Sequence, residues 1–214
     1  MPLYKEAYQL AVEHEFVDLQ KSSGIMLVKY LCGAGDYSKS LEYYNKINPE
    51  IALVPSMQNE VVKSYMELNK PDSARIYLAE RLLLEGGDKI FFNCMMAETY
   101  IPEEQEDSAF IFLDRAMESY KEKKKYYQGK DREVVLPSYF LSTCYLFADL
   151  LWKKGKVQQA NQYYTFVEPL MKEVVRTPIQ MEFQIKALTN FSSFCRETKQ
   201  YEKALDLLAR RDSV

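Results

Sequence analysis

The sequence contains few of the residues that interrupt regular backbone structure. Only seven glycines and eight prolines occur among its 214 residues. Proteins built from strands and tight turns use glycine and proline often, because many turns need the backbone conformations that these residues favour. Their scarcity favours long helices joined by short loops. Seventeen tyrosines and eleven phenylalanines supply large flat side chains with which such helices can pack.

Recognisable patterns of catalytic residues are also scarce. His14 is the single histidine, and we interpret it as a residue of a helix surface or an interface. No glycine-rich phosphate loop is present, since Gly86 and Gly87 form an isolated pair that is typical of a helix end. The acidic run 103–107 is typical of a turn followed by a helix start. We therefore expect no catalytic residues, no metal site, no cofactor and no enzymatic activity.

Four cysteines, widely separated and without the CxxC spacing of zinc or redox sites, are expected to be buried free thiols. The first residues show no signal peptide, and no run approaches the roughly 20 apolar residues that cross a bilayer. We therefore expect a cytoplasmic protein with no membrane segment in this chain. The alternative is a periplasmic location, if the chain belongs to a membrane-anchored sensor and lacks its leader.

The charge balance argues against direct contact with nucleic acid. The net charge is -3, whereas nucleic-acid-binding proteins usually carry a basic excess that neutralises phosphates. Lys121–Lys125, followed by two tyrosines, is the one local exception. Lysines can bind the phosphates of single-stranded nucleic acid, and aromatic rings can stack on its bases. A solvated helix tip explains the same run, and we prefer that interpretation.

One short pattern returns five times along the chain. Each copy has a turn, a helix start with a small residue, and apolar or aromatic residues after it. The small residues are separated by 34, 35, 51 and 44 positions. A repeat of this length predicts a stack of similar structural units. The five small residues are Ser40, Ala74, Ala109, Ala160 and Ala204.

Two further columns, meaning sets of residues at a fixed distance from each small residue, recur in all five copies. Small or medium residues occur twelve positions before each small residue, and bulky ones occur nine positions before it, with Cys195 the weakest member. Two helices that cross at short distance need small side chains at the crossing point and larger ones beside it. The twelve-before column is Val28, Val62, Ala97, Ala148 and Ser192. The nine-before column is Leu31, Tyr65, Tyr100, Leu151 and Cys195.

These columns resemble the eighth, eleventh and twentieth positions of the tetratricopeptide repeat (TPR). The usual tryptophan at position four is missing, and position eight is never glycine. The resemblance implies an all-α protein, a right-handed α-α superhelix of about five helical hairpins with a concave groove. Residues 1–20 are expected to form an N-terminal helix and residues 21–214 the solenoid. The approximate repeats are 21–54, 55–88, 89–135, 136–177 and 178–214.

The longer intervals predict where the repeats become irregular. The second helix of the third hairpin should continue from Asp107 to about Gln128, since no residue interrupts it, and a loop should follow at 129–131. The next helix should start near Pro137. Pro169 should kink or break the helix in which it lies, and Thr177-Pro178 should be a linker.

The resemblance also implies which side chains face the groove. Lys29 and Lys63 lie one repeat apart on the same line, which suits a carboxylate or an extended peptide backbone. They do not match the fuller set of lysine, asparagine and arginine in family members that clamp chaperone tails. For Tyr145 and Trp152, packing against neighbouring helices is the alternative interpretation. The predicted groove residues are Lys29, Asn59, Lys63, Glu98, Tyr145, Asp149, Trp152 and Arg196.

These features predict a non-enzymatic scaffold that binds a protein or peptide in its groove. The alternative is a sensor or oligomerisation region of a larger bacterial signal-transduction or transcription-regulatory protein, whose helical junctions the tail 204–213 resembles. Half a repeat at the front and no polar capping helix at the rear suggest a fragment of a longer protein. They also suggest homo-oligomers that stack through the open ends.

Overall fold

A computed structural model describes residues 2–47, 55–84, 88–128, 138–171 and 178–213. These residues form eleven helices and no strand, which confirms the all-α class. In chain order the helices are α1 (Pro2–Glu13), α2 (Val17–Gly33), α3 (Tyr37–Lys46), α4 (Pro55–Glu67), α5 (Pro71–Leu82), α6 (Lys89–Tyr100), α7 (Glu106–Tyr127), α8 (Ser138–Lys153), α9 (Val157–Leu170), α10 (Pro178–Glu197) and α11 (Tyr201–Asp212).

The chain divides into two compact units, Met1–Arg81 and Leu82–Val214. In the first unit, α1 packs on α2, α2 packs on α3 and α4, and α3 packs on α4. In the second unit, α6 pairs with α7, α8 with α9, and α10 with α11. The first helices of these three hairpins are neighbours, because α8 contacts both α6 and α10. The second unit therefore has one layer of first helices.

A single turn geometry closes every hairpin of the repeat. One residue has a positive φ, and it always lies five positions before the small residue. In the fourth copy, for example, the Gly155 N–H donates to the Trp152 carbonyl at 2.8 Å, and the Lys156 N–H donates to the Leu151 carbonyl at 2.9 Å. These two bonds define a Schellman motif, which satisfies carbonyls at a helix end. The positive-φ residues are Gly35, Asn69, Glu104, Gly155 and Lys199.

The small-residue column lies at the helix contacts, as its spacing predicts. All five of its members are buried, and so are all five residues twelve positions earlier. In the first copy the Ser40 hydroxyl donates to the Val28 carbonyl at 3.1 Å, which ties α3 to α2 where they approach each other. The register found in the sequence is therefore the register of the packing.

The irregular segments are partly as expected. The 22-residue α7 confirms the extended helix, and α9 ends at Leu170, one residue after Pro169. Pro178 is the first residue of α10 rather than part of a linker, which suits the fixed φ of proline. The other predicted breaks, at Gly86-Gly87, 129–131, Pro137 and Thr177, lie outside the described residues.

The N-terminal segment contains more than one helix. Residues 1–20 include α1, a turn and the start of α2. Glu15 has a φ of 56° in that turn, and the Phe16 N–H donates to the Ala11 carbonyl at 2.9 Å. This turn thus has the same hydrogen bonding as the turns of the repeat. The exact boundaries of the repeats stay a prediction.

The four cysteines are buried free thiols, as expected. Within the part of the chain that the structure describes, no helix is both long and apolar enough to cross a membrane.

Two glycines near the end of α2 test the turn geometry, because an added methyl group would meet no atom within 4 Å at either one. Gly35 has a φ of 78°, which costs an L-residue about 1–2 kcal/mol. Gly33 is the last residue of α2, where alanine is favoured by about 0.5–1 kcal/mol. We expect Gly35→Ala to lower the free energy of unfolding by about 1 kcal/mol and Gly33→Ala to raise it slightly, measured by urea denaturation. Equal effects at the two positions would contradict the turn assignment.

Candidate functional site

A cleft opens between α8 and α10 in the layer of first helices. It has a volume of about 80 Å³. The α8 residues that line it recur at intervals of three and four, so they share one face of the helix. The α10 residues follow the same spacing. The lining residues are Ser142, Tyr145, Leu146 and Asp149 from α8, and Lys186, Ala187 and Asn190 from α10.

Asp149 is engaged within the protein. Its carboxylate accepts hydrogen bonds from the Tyr164 hydroxyl on α9 and from the Asn190 side-chain amide on α10. Tyr164 is fully buried and stacks on Phe191 with 4.7 Å between ring centroids. Burial raises the pKa of Asp149 above its ordinary value, against the lowering effect of the two hydrogen bonds and of the charges of Lys153 and Lys186. Asp149 therefore joins three helices and orients the side chain of Asn190.

Tyr145 lies at the base of the cleft. It is buried, and its hydroxyl donates to the Met171 sulfur at 3.1 Å. Burial raises the pKa of this hydroxyl, so the side chain stays neutral over the physiological range. Tyr145 therefore presents ring surface to a ligand rather than a charge.

Glu98 lies one helix away, in α6, and takes part in the contact between α6 and α8. Its carboxylate accepts a hydrogen bond of 2.5 Å from the Thr143 hydroxyl. Burial raises the pKa of Glu98, and the bond from Thr143 lowers it by less. At the start of the same two helices the Tyr139 hydroxyl donates to Asp88 at 2.9 Å. Polar pairs thus align α6 with α8.

Lys186 differs from its polar neighbours because it is exposed and makes no hydrogen bond or ion pair with the described residues. The hydroxyl of Ser142, across the cleft, is likewise without a hydrogen-bond partner there. The described lining of the cleft therefore combines the exposed ammonium of Lys186 and the hydroxyl of Ser142 with the hydrogen-bonded Asp149–Asn190 pair and the apolar surface of Tyr145, Leu146 and Ala187.

The remaining predicted groove residues of the second unit lie outside the cleft lining. Trp152 is half-buried and packs edge-on against Phe194 at 5.6 Å between centroids, which agrees with the packing interpretation. Arg196 is exposed near the end of α10. The structure therefore brings together Tyr145 and Asp149 of the predicted set.

Three predicted groove residues belong to the first unit. Lys29 is half-buried on α2, and Asn59 and Lys63 are exposed on α4. The two helices are neighbours. Their role in binding stays a prediction.

Lys186 and Asn190 were missed from the sequence. Counted back from Ala204 as the twentieth position, Lys186 is the second position of the fifth repeat, as Ser142 is of the fourth. The repeat register itself was therefore the available signal for Lys186. Asn190, at the sixth position, has no such signal.

The described residues contain no group of three or more histidine, cysteine, aspartate or glutamate side chains that could hold a metal ion.

Comparison with known proteins identifies the fold. No family model and no curated protein matches the sequence. A protein from Podosopora anserina, assigned to the kinesin light chains and built of nearly identical TPR-like repeats, has a similar solved structure. It shows 16% identity, coverage of 91% of this chain and 94% of that one, and a TM-score of 0.56. A variant of it gives 16% identity, coverage of 91% and 93%, and a TM-score of 0.58. YrrB, a TPR protein with an unusual peptide-binding site, matches at 17% identity, 96% and 90% coverage and a TM-score of 0.48.

The likeness to the Podosopora structures extends over most of both chains. This protein therefore has the fold of tetratricopeptide-repeat proteins, as its repeat columns predict.

The buried carboxyl of Glu98 generates a pH-dependent prediction. Its pKa is raised in the folded protein, so its ionisation opposes folding as the pH rises from the unfolded value of 4.5 through the folded value. Glu98→Gln removes that penalty. We expect the gain in melting temperature of Glu98→Gln over the wild type to be larger at pH 8 than at pH 5. Glu122→Gln, on the exposed part of α7, is the control and should show no such difference. A gain that is equal at both pH values would contradict this role for Glu98.

Proposed function

We propose that the protein is a non-enzymatic scaffold that binds a peptide or protein partner along its first helices, with the cleft between α8 and α10 as an anchor point. The observation that carries this proposal is the exposed ammonium of Lys186, which forms no ion pair with the described residues and lies beside the apolar side chains of the cleft. Specific sites commonly combine apolar surface with a few polar groups that orient the ligand.

The chemistry of the cleft favours a negatively charged segment. Asp149 is already satisfied by Tyr164 and Asn190, so it does not need a cation from the partner. Lys186 forms no hydrogen bond or ion pair with the described residues, although its charge acts on Asp149. A carboxylate of the partner would supply a charge-assisted hydrogen bond. Ser142 can bond to a peptide group in the same segment. We infer an extended peptide with an acidic side chain or a free carboxyl terminus.

The titratable groups near the cleft support a binding role rather than catalysis. Asp149 and Glu98 are engaged in contacts between helices, and Tyr145 and Tyr164 are buried. Binding and catalytic sites both contain groups with shifted pKa values, but catalysis also requires such a group within reach of a substrate. Of these groups, Asp149 and Tyr145 line the cleft, but the Asp149 carboxylate accepts hydrogen bonds from Tyr164 and Asn190, and the Tyr145 hydroxyl donates to the Met171 sulfur.

The groove residues of the first unit extend the proposal. Lys29, Asn59 and Lys63 add two cations and an amide on neighbouring helices, which suits the same class of acidic partner. We propose a cytoplasmic location because four buried free thiols suit a reducing compartment. The acidic net charge favours a protein partner over nucleic acid.

Selection from a random peptide library against the full chain would test this function. We expect the selected peptides to share an acidic residue or a required free carboxyl terminus. Lys186→Glu should weaken their binding about tenfold or more, because it replaces an attraction by a repulsion. Lys123→Glu makes the same charge change on the exposed end of α7 and should leave the affinity unchanged.

The affinities are to be measured by isothermal titration calorimetry, after circular dichroism has shown that both variants are folded. Peptides without an acidic preference, or peptides that bind Lys186→Glu as tightly as the wild type, would contradict the proposed anchor.

A further inference from the structure

A second pocket lies among α7, α8 and α9, away from the cleft between α8 and α10. Its volume is about 270 Å³. The walls come from the two second helices, α7 and α9, and the base comes from the first helix α8 that lies beneath them. Four of its lining residues are aromatic, namely Phe110, Phe140, Tyr163 and Phe166.

The pocket extends from the surface to residues of the core. Phe140 and Cys144 line its base, although both are buried in the core of the second unit. Phe110 and Phe166, at its mouth, are about half exposed. An apolar cavity of about 150 Å³ is sufficient for benzene. A pocket of 270 Å³ is therefore large enough for a two-ring aromatic group.

Three polar groups at this pocket have no partner among the described residues. The carboxylate of Asp114 forms no hydrogen bond or ion pair there, and neither the Gln162 amide nor the Tyr163 hydroxyl forms a hydrogen bond. Tyr163 is held in place by ring contacts, edge-on to Phe147 at 5.0 Å and to Phe110 at 6.5 Å between centroids. Burial raises the pKa of its hydroxyl, and the charge of Asp114 adds to the effect. The charge of Asp114 thus acts on the Tyr163 hydroxyl, although the two groups form no hydrogen bond.

The charged and polar groups that line the pocket indicate which class of ligand it favours. Among the described residues that line the pocket there is no lysine or arginine, and Asp114 is the one charged group. A positively charged group on a ligand would pair with this carboxylate and would also be attracted to the faces of the surrounding rings. An anionic ligand would be repelled by the carboxylate, and a purely apolar one would leave the three polar groups unused.

We propose that this pocket binds a small aromatic amine, with the aromatic body between Phe110, Tyr163 and Phe166 and the ammonium group against Asp114. The proposal is independent of the peptide-binding function, because the two sites share no lining residue.

Titration of the full chain with tryptamine and with 3-ethylindole tests this proposal. The two probes have the same ring system, and only tryptamine carries an ammonium group. We expect tryptamine to bind the wild type at least about tenfold more tightly, since a charge-assisted hydrogen bond accounts for a difference of that order. Ligand-observed NMR is suited to the weak affinities of molecules of this size.

Variants locate the site. Asp114→Asn should reduce the affinity for tryptamine about tenfold and leave that for 3-ethylindole unchanged. Phe166→Ala should weaken both probes, because it removes part of the aromatic wall. Glu122→Gln, an exposed acid on the same helix outside the pocket, should change neither. Lys186→Glu should also retain tryptamine binding, which separates this site from the peptide cleft.

Three results would overturn the proposal. They are equal affinity of the wild type for the two probes, no binding of tryptamine at millimolar concentration, and unchanged tryptamine binding by Asp114→Asn. The first two need no variant, so the test holds even if a substitution impairs folding.

Discussion

The turn between the helices of each hairpin is closed by a backbone hydrogen bond that spans five residues. In the fourth copy it runs from the Lys156 N–H to the Leu151 carbonyl, and equivalent bonds occur in the other copies. The bond forms only if the preceding residue adopts a positive φ. It fixes the length of the turn and so the position at which the next helix starts. The small residue five positions later then reaches the contact with the first helix, as Ser40 does at Val28.

Burial of carboxyl groups between the first helices follows from this packing. Removing a carboxylate from water is unfavourable unless hydrogen bonds offset the loss. Thr143 supplies such a bond to Glu98, and Tyr164 and Asn190 supply two to Asp149. Glu98 and Asp149, which the repeat pattern assigns to the groove, therefore form hydrogen bonds between neighbouring helices. Lys186 forms no such link with the described residues.

The second unit contains two different candidate sites because its helices form two kinds of gap. The described lining of the gap between the first helices α8 and α10 carries a lysine and an aspartate. The gap between the second helices α7 and α9 is larger, is lined by aromatic rings and carries a carboxylate.

The sequence by itself determined the helical class, the repeat register, the small-residue columns and the long α7, because these depend on local spacing and on the absence of helix-breaking residues. It also pointed to Tyr145 and Asp149. Only the tertiary structure showed that Asp149 bonds to Tyr164 and Asn190, that Trp152 packs on Phe194, and that Lys186 lines the cleft. Periodicity places a residue on a face of its helix. Its hydrogen-bond partners and its exposure depend on side chains from other helices, which are distant in the sequence.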